Sequence, residues 1–352
     1  MKECQASFFS DLAVVKFIFF KKSTIVNSFS HSPDVLKELI FFTQNRKIMA
    51  TKIKRKEFDY LPSETSFKEK QPAGKKFLAV FDGFKFSEST LEYGIQLTLE
   101  ANADLIGVFL DEFIYRSYSP SLMLNRYNDA EKVLDQLDAK DKAKRDESVQ
   151  KFVSACSKAG IRYAVHRNTN IAIHEVIQES IFADLIIINE NETFNRFSEK
   201  APTRFIKELL TDVQCPVLVV PEKSRPIDKI LLLYDGGPSS VFAVKMFSYI
   251  FGSLKSLPVE VLTVKDKMEG SHLPSNKLMR EFLKRHFPGA EYVIKKGNTE
   301  EEVLGHLRYH KGNELVVLGA YRRSEISRWF KTSMADILIK ELSTPLFVAH
   351  NK

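Results

Sequence analysis

The feature that most constrains this chain is that it repeats itself. KKFLAVFDGFKFSESTLEYGIQLT, from Lys75, has the layout of DKILLLYDGGPSSVFAVKMFSYI, from Asp228. Each is a lysine, an apolar run, Asp-Gly, a serine-containing turn and an amphipathic helix. Further on, HEVIQESIFADLIII aligns with EEVLGHLRYHKGNELVVL, and CPVLVVPE with TPLFVAHN. Three pairings in the same order argue for an internal duplication, with PEKSRP at 221–226 as the linker.

Within each unit, short β-rich runs alternate with helical periods. In the second unit the strands are expected at about 229–234, 259–264, 290–295, 314–318 and 345–349, with helices at 238–251 and 300–310 between them. Strand then helix, five times over, implies a parallel sheet covered on both faces. Runs such as ILLLY, LVVL and LIII fit strands buried on both sides. Right-handed crossovers then give an α/β, doubly wound layer with any ligand at the carboxyl ends of the strands. The first unit is longer because of a charged stretch, 126–151. There Val133, Leu134 and Leu137 recur at helical spacing, which predicts a long solvated helix.

Composition narrows the function classes. A length of 352 residues favours two domains, and 44% hydrophobic residues supply real cores. The net charge of +7 is small against 52 basic and 45 acidic residues. The basic run KIKRKEF at 52–58 has no aromatic platform beside it, so nucleic acid is not an expected partner. Cys4, Cys156 and Cys215 are far apart and odd in number, which suggests free thiols and a reducing, cytoplasmic setting. The eight histidines show no metal-ligand spacing, and no metal is expected. Ser239 and Ser240 lie in no Gly-x-Ser-x-Gly elbow. The Asp-Gly turns lack the further carboxylates that phosphoryl chemistry on Mg²⁺ would want, so no catalytic role is expected.

At the N-terminus, FFSDLAVVKFIFF is interrupted by Asp11 and Lys16 and falls short of the roughly 20 apolar residues of a membrane span. No membrane association is expected. MATKIKRKEF from Met49 reads like a natural start. Residues 1–74 are therefore expected to be an extension without a core of its own, or partly upstream sequence, ahead of domains at 75–222 and 228–350.

The Asp-Gly after the first strand, the HEVI-like helix start, the apolar fourth strand and the closing CPVLVV resemble the universal stress protein domain, in both units. The resemblance implies two tandem five-stranded sheets of order 3-2-1-4-5. It also implies dimers, here an internal pseudo-dimer of the two units, with a homodimer also open. Some members bind ATP through Gly, two residues, Gly, nine residues, then Gly followed by Ser or Thr. Laid on the second unit, this pattern meets Gly319, Arg322, Thr332 and Ser333. In the first it meets Asn189, Glu192, Pro202 and Thr203. Two of the three glycines that let amides approach phosphate are thus missing from the second unit. All three are missing from the first, where acidic side chains would also repel a triphosphate. Arg322, Arg323, Arg328 and Lys331 could meet an anion by side chain instead.

At the nucleoside end the resemblance points to Asp82 and Leu110 in the first unit, and to Asp235 and Val264 in the second. Such aspartates also close turns, and such aliphatics are also plain core. No cofactor is expected, with ATP at most weakly held by the second unit. Two readings stay open: an interaction module that docks unidentified proteins, or a nucleotide-responsive regulator.

Overall fold

The structure, a computed structural model, describes residues 74–351 apart from 112–114, 121, 124–128, 266–269, 271, 311 and 320–332. The expected extension up to residue 73 therefore lies outside the described residues, as do Arg322, Arg323, Arg328, Lys331 and Thr332.

The first half runs β1 (Lys76–Asp82), α1 (Glu88–Ala101), β2 (Asp104–Leu110), α2 (Ala130–Ala159) and β3 (Tyr163–Asn168). It continues through α3 (Ala172–Ser180), β4 (Leu185–Asn189), α4 (Arg204–Asp212) and β5 (Val217–Val220). The second half runs β6 (Lys229–Leu233), α5 (Pro238–Ile250), β7 (Val259–Lys265), α6 (Asn276–His286) and β8 (Glu291–Lys296). It ends with α7 (Thr299–Tyr309), β9 (Glu314–Gly319), α8 (Met334–Glu341) and β10 (Leu346–Ala349).

The two five-stranded sheets are one sheet, in the order β3-β2-β1-β4-β5-β10-β9-β6-β7-β8. Each half has the order 3-2-1-4-5 and is parallel throughout. The halves meet at the one antiparallel pairing, β5 with β10, where Leu346 faces Val219, Phe347 faces Leu218 and Val348 faces Val217. Both strands are short and wholly apolar, VLVV and LFVA. Left open, such edges would be aggregation-prone, so pairing them removes two exposed edges at once. The outer strands β3 and β8 carry His166, Arg167, Lys295 and Lys296, charges that discourage further pairing.

Alternate strand residues feed two cores. Phe77, Ala79 and Phe81 of β1 join a layer under α1, α2, α5 and α6, while Leu78 and Val80 join the layer under α3, α4, α7 and α8. Each layer runs across the seam. Phe251 of the second half, for example, stands 5.9 Å from Phe77 of β1 between ring centres. Polar bonds add to the join: the Asn313 amide donates to the Tyr93 hydroxyl (3.1 Å), and Lys75 donates to the Ile250 carbonyl (2.7 Å).

The long charged helix begins later and ends later than the sequence suggests. Past residue 151 it goes on to bury Phe152 and Cys156, and it stops at Gly160, whose φ of 67° suits a left-handed cap. The buried stripe, which charge content conceals, sets its length. No helix among the described residues is long and apolar enough to cross a membrane.

Candidate functional site

In each half the strand order reverses beside the first strand, at β1 between β2 and β4 and at β6 between β7 and β9. Open α/β sheets bind ligands in the crevice at that switch, outside the carboxyl ends. The sequence candidates fall there in both halves, but the two crevices are built differently.

In the first half, Asp82 ends β1 in register with Leu110 of β2 and is fully buried. Its carboxylate accepts from the Phe84 amide (2.8 Å) and the Tyr115 hydroxyl (3.0 Å). The Tyr115 ring stands edge-on to Phe84 at 5.0 Å, and the Arg145 guanidinium, from α2, lies 4.4 Å over the Phe84 ring. Arg145 also donates to the Tyr115 carbonyl (2.5 Å). Leu110 points into the apolar core. Asn189 ends β4 and closes a turn: its amide donates to the Pro221 carbonyl (3.2 Å), and its oxygen accepts from the Asn191 amide (3.0 Å). Thr203, with no exposed surface, caps α4 and donates to the Glu192 carbonyl (2.5 Å).

Glu192, only 3% exposed, reaches from the loop after β4 toward Asp82 at the end of β1, and one of its carboxylate oxygens is buried without a hydrogen-bond partner. Burial, reinforced by Asp82, pushes the Glu192 carboxyl well above the usual carboxylate range. Burial also raises Asp82, outweighing the bonds from Phe84 and Tyr115 and the nearby Lys85. Neighbouring Glu190 is pushed by burial up to about 7. Glu192 and Asp82 thus occupy the crevice, and a ligand there would have to displace them.

Among the described residues the second half shows no such filling. Asp235 follows β6 and is exposed; one oxygen accepts from the Gly237 amide (2.7 Å) and the Ser240 hydroxyl (2.6 Å), an arrangement that closes a turn. Val264, near the end of β7, is half-buried against the core. Gly236 has φ 84°, and a Cβ there would stand 2.6 Å from the Pro274 Cβ. Ser333 caps α8, its hydroxyl accepting from the Ala335 amide (3.3 Å).

Gly319 has a reason of its own. A Cβ on it would fall 2.3 Å from the Ser239 carbonyl carbon and 2.5 Å from the Ser240 nitrogen. The end of β9 presses on the first turn of α5, and only glycine permits that approach. The structure thus gathers Asp82, Asn189, Thr203 and Glu192 into one cluster and Asp235 with Ser240 into another. Arg322 and Thr332 lie outside the described residues.

Sequence reasoning missed Tyr115, Phe84 and Arg145, because nothing in their spacing announces that they converge on Asp82. It also passed over a second cluster, at the opposite end of the sheet. Glu260, His306 and His310 bring ligand atoms within 4.8 Å of one another. The two histidines are four apart, a spacing legible in the sequence, but their carboxylate partner comes from a distant strand.

No family model matches the sequence, and no curated protein does either. Solved structures do match in fold. A universal stress protein from Archaeoglobus fulgidus DSM 4304 aligns over 79% of this chain and 98% of its own, at 15% identity and a TM-score of 0.59. A candidate universal stress protein from Pseudomonas aeruginosa UCBPP-PA14 aligns over 78% and 92%, at 13% identity and a TM-score of 0.52. With the strand order and the seam, these likenesses identify the chain as carrying the universal stress protein fold twice in tandem.

Proposed function

We propose that this chain is a non-catalytic regulatory protein of the universal stress protein type, acting in the cytoplasm as an interaction module whose first half no longer takes a nucleotide. The observation that carries this reading is the crevice at the end of β1. There the Phe84 amide and the Tyr115 hydroxyl satisfy the buried Asp82 carboxylate, Arg145 lies over the Phe84 ring, and the buried Glu192 side chain stands beside them. A nucleoside would have to displace them all and leave buried polar groups unpaired, which costs about 1–3 kcal/mol for each. The cytoplasmic part rests on the thiols: neither Cys156 nor Cys215 is in a disulfide.

A second reading has one observation in its favour. Among the described residues the crevice of the second half is not filled in this way, and Asp235 is exposed at its rim. In that reading the second half responds to adenine nucleotide. Calorimetric titration of ATP into the full chain, into Ser333→Ala and into Arg322→Gly/Thr332→Gly separates the two. The module reading expects no binding until both glycines are restored. Micromolar binding by the unaltered chain that Ser333→Ala abolishes would overturn it in favour of the nucleotide reading.

A further inference from the structure

We propose that the second half holds a divalent transition metal, zinc being the best match, between Glu260, His306 and His310 at the amino-terminal edge of its sheet. This site is independent of the nucleotide question, since the crevice lies at the other end of the same strands.

The topology brings the donors together. Three neighbouring strands start here: β9 with Glu314, β6 with Lys229, and β7 with Glu260 as its second residue. Lys229 is in register with Glu314. Helix α7 runs back over this edge and ends by presenting His306 and, one turn on, His310, their rings 4.6 Å apart. Residues four apart share a helical face, so both imidazoles look the same way.

The donors are buried and underused. Glu260 and His306 are each 6% exposed and Glu314 is 3% exposed. His306 Nε2 stands 2.5 Å from Glu260 Oε1, an ion pair when the imidazole is protonated, and the two oxygens of Glu314 accept no hydrogen bond although Lys229 stands 3.4 Å from one of them. Buried polar atoms are nearly always satisfied, and several orphans facing one another call for a shared partner. A cation in place of the imidazolium proton would join His306 to Glu260, with His310 offering a third ligand atom within 4.8 Å.

Charge and orientation agree. Lys229 takes the far oxygen of Glu260 (2.8 Å) and stands 3.4 Å from Glu314, leaving Glu260 Oε1 turned to the histidines. Such outer partners commonly orient metal ligands. Two carboxylates against one ammonium leave a negative balance if the imidazoles are neutral. Entry is available: His310 and Glu314 line an open recess of about 180 Å³ beside Arg225 and Gly312. Two imidazoles with carboxylate suit zinc and its first-row neighbours, whereas calcium and magnesium prefer oxygen alone. Glu314 or water completes a fourth position.

The test uses the full chain, stripped with a chelator and titrated with zinc chloride by calorimetry, and with cobalt(II) by visible absorption. One zinc per chain with tetrahedral cobalt bands is expected, and His310→Ala and His306→Gln should each weaken zinc by at least about tenfold. His310 is half-buried at the recess, so its alanine variant keeps the test decisive if His306→Gln misfolds. No zinc uptake by the unaltered chain, or uptake that His310→Ala leaves unchanged, overturns the proposal.

Discussion

Replacing Gly319 with alanine is expected to destabilise the protein strongly, whether or not any nucleotide binds. The added Cβ would lie 2.3–2.5 Å from three backbone atoms of Ser239 and Ser240, where ordinary contact begins near 3.4 Å. The first turn of α5 would have to retreat by about 1 Å, and backbone cannot swing aside as a side chain does. Ser240, which the shift would displace, also bonds Asp235, and α5 carries Ala243, Val244 and Phe247 into the core. Overpacking of this kind costs about 1–3 kcal/mol and occasionally more. With three backbone contacts, about 3 kcal/mol is the reasonable figure. At about 2–4 °C per kcal/mol for a domain of this size, Tm should fall by roughly 6–12 °C. Gly305→Ala is the control: nothing lies within 4 Å of its Cβ position, and a helix interior gains about 0.5–1 kcal/mol from the change. Thermal and urea unfolding of both variants, without ligand, make the comparison. A Gly319→Ala protein as stable as its parent would refute the steric account and return this glycine to a ligand role.

Glu192→Gln should stabilise the protein at neutral pH. The folded carboxyl titrates well above its ordinary 4.5 because of burial, with Asp82 adding to the shift. Its stabilising contribution is therefore complete below the unfolded pKa and is lost as pH rises through the folded one. Denaturation from pH 4 to 8 should show a flatter decline for the amide variant, and parallel curves would contradict the assignment. Phe347→Ala, at the seam, should cost about 3–5 kcal/mol, and the chain should still unfold in one transition because both core layers cross β5 and β10. Calorimetry that resolves two transitions in the unaltered protein would contradict that continuity.

Much of the fold was legible because its strands are apolar on both faces. ILLL, VEVLTV and LVVL mark β6, β7 and β9 to within a residue or two. The seam was legible too, since VLVV and LFVA are edges that water does not favour. What could not be read were meetings between distant residues. The two Asp-Gly turns look alike, yet Asp82 is buried and Asp235 exposed, and among the described residues only the first half brings groups such as Tyr115, Arg145 and Glu192 to its aspartate. The glycine motif suggested phosphate, but the need for Gly319 is set by a helix whose position no local pattern records. Thr203 and Ser333 keep a hydroxyl that helix capping alone accounts for.

The antiparallel join of β5 to β10 also frees the two halves from copying each other. When two identical chains associate, every substitution appears twice and both crevices must change together. Here the association is within one chain, so its strength does not depend on protein concentration, and a change on one side appears once. The halves have used that freedom. One has a 30-residue helix where the other has 11 residues, and one crevice is sealed while its counterpart keeps an exposed aspartate. A single molecule can therefore carry two unlike ends on one sheet.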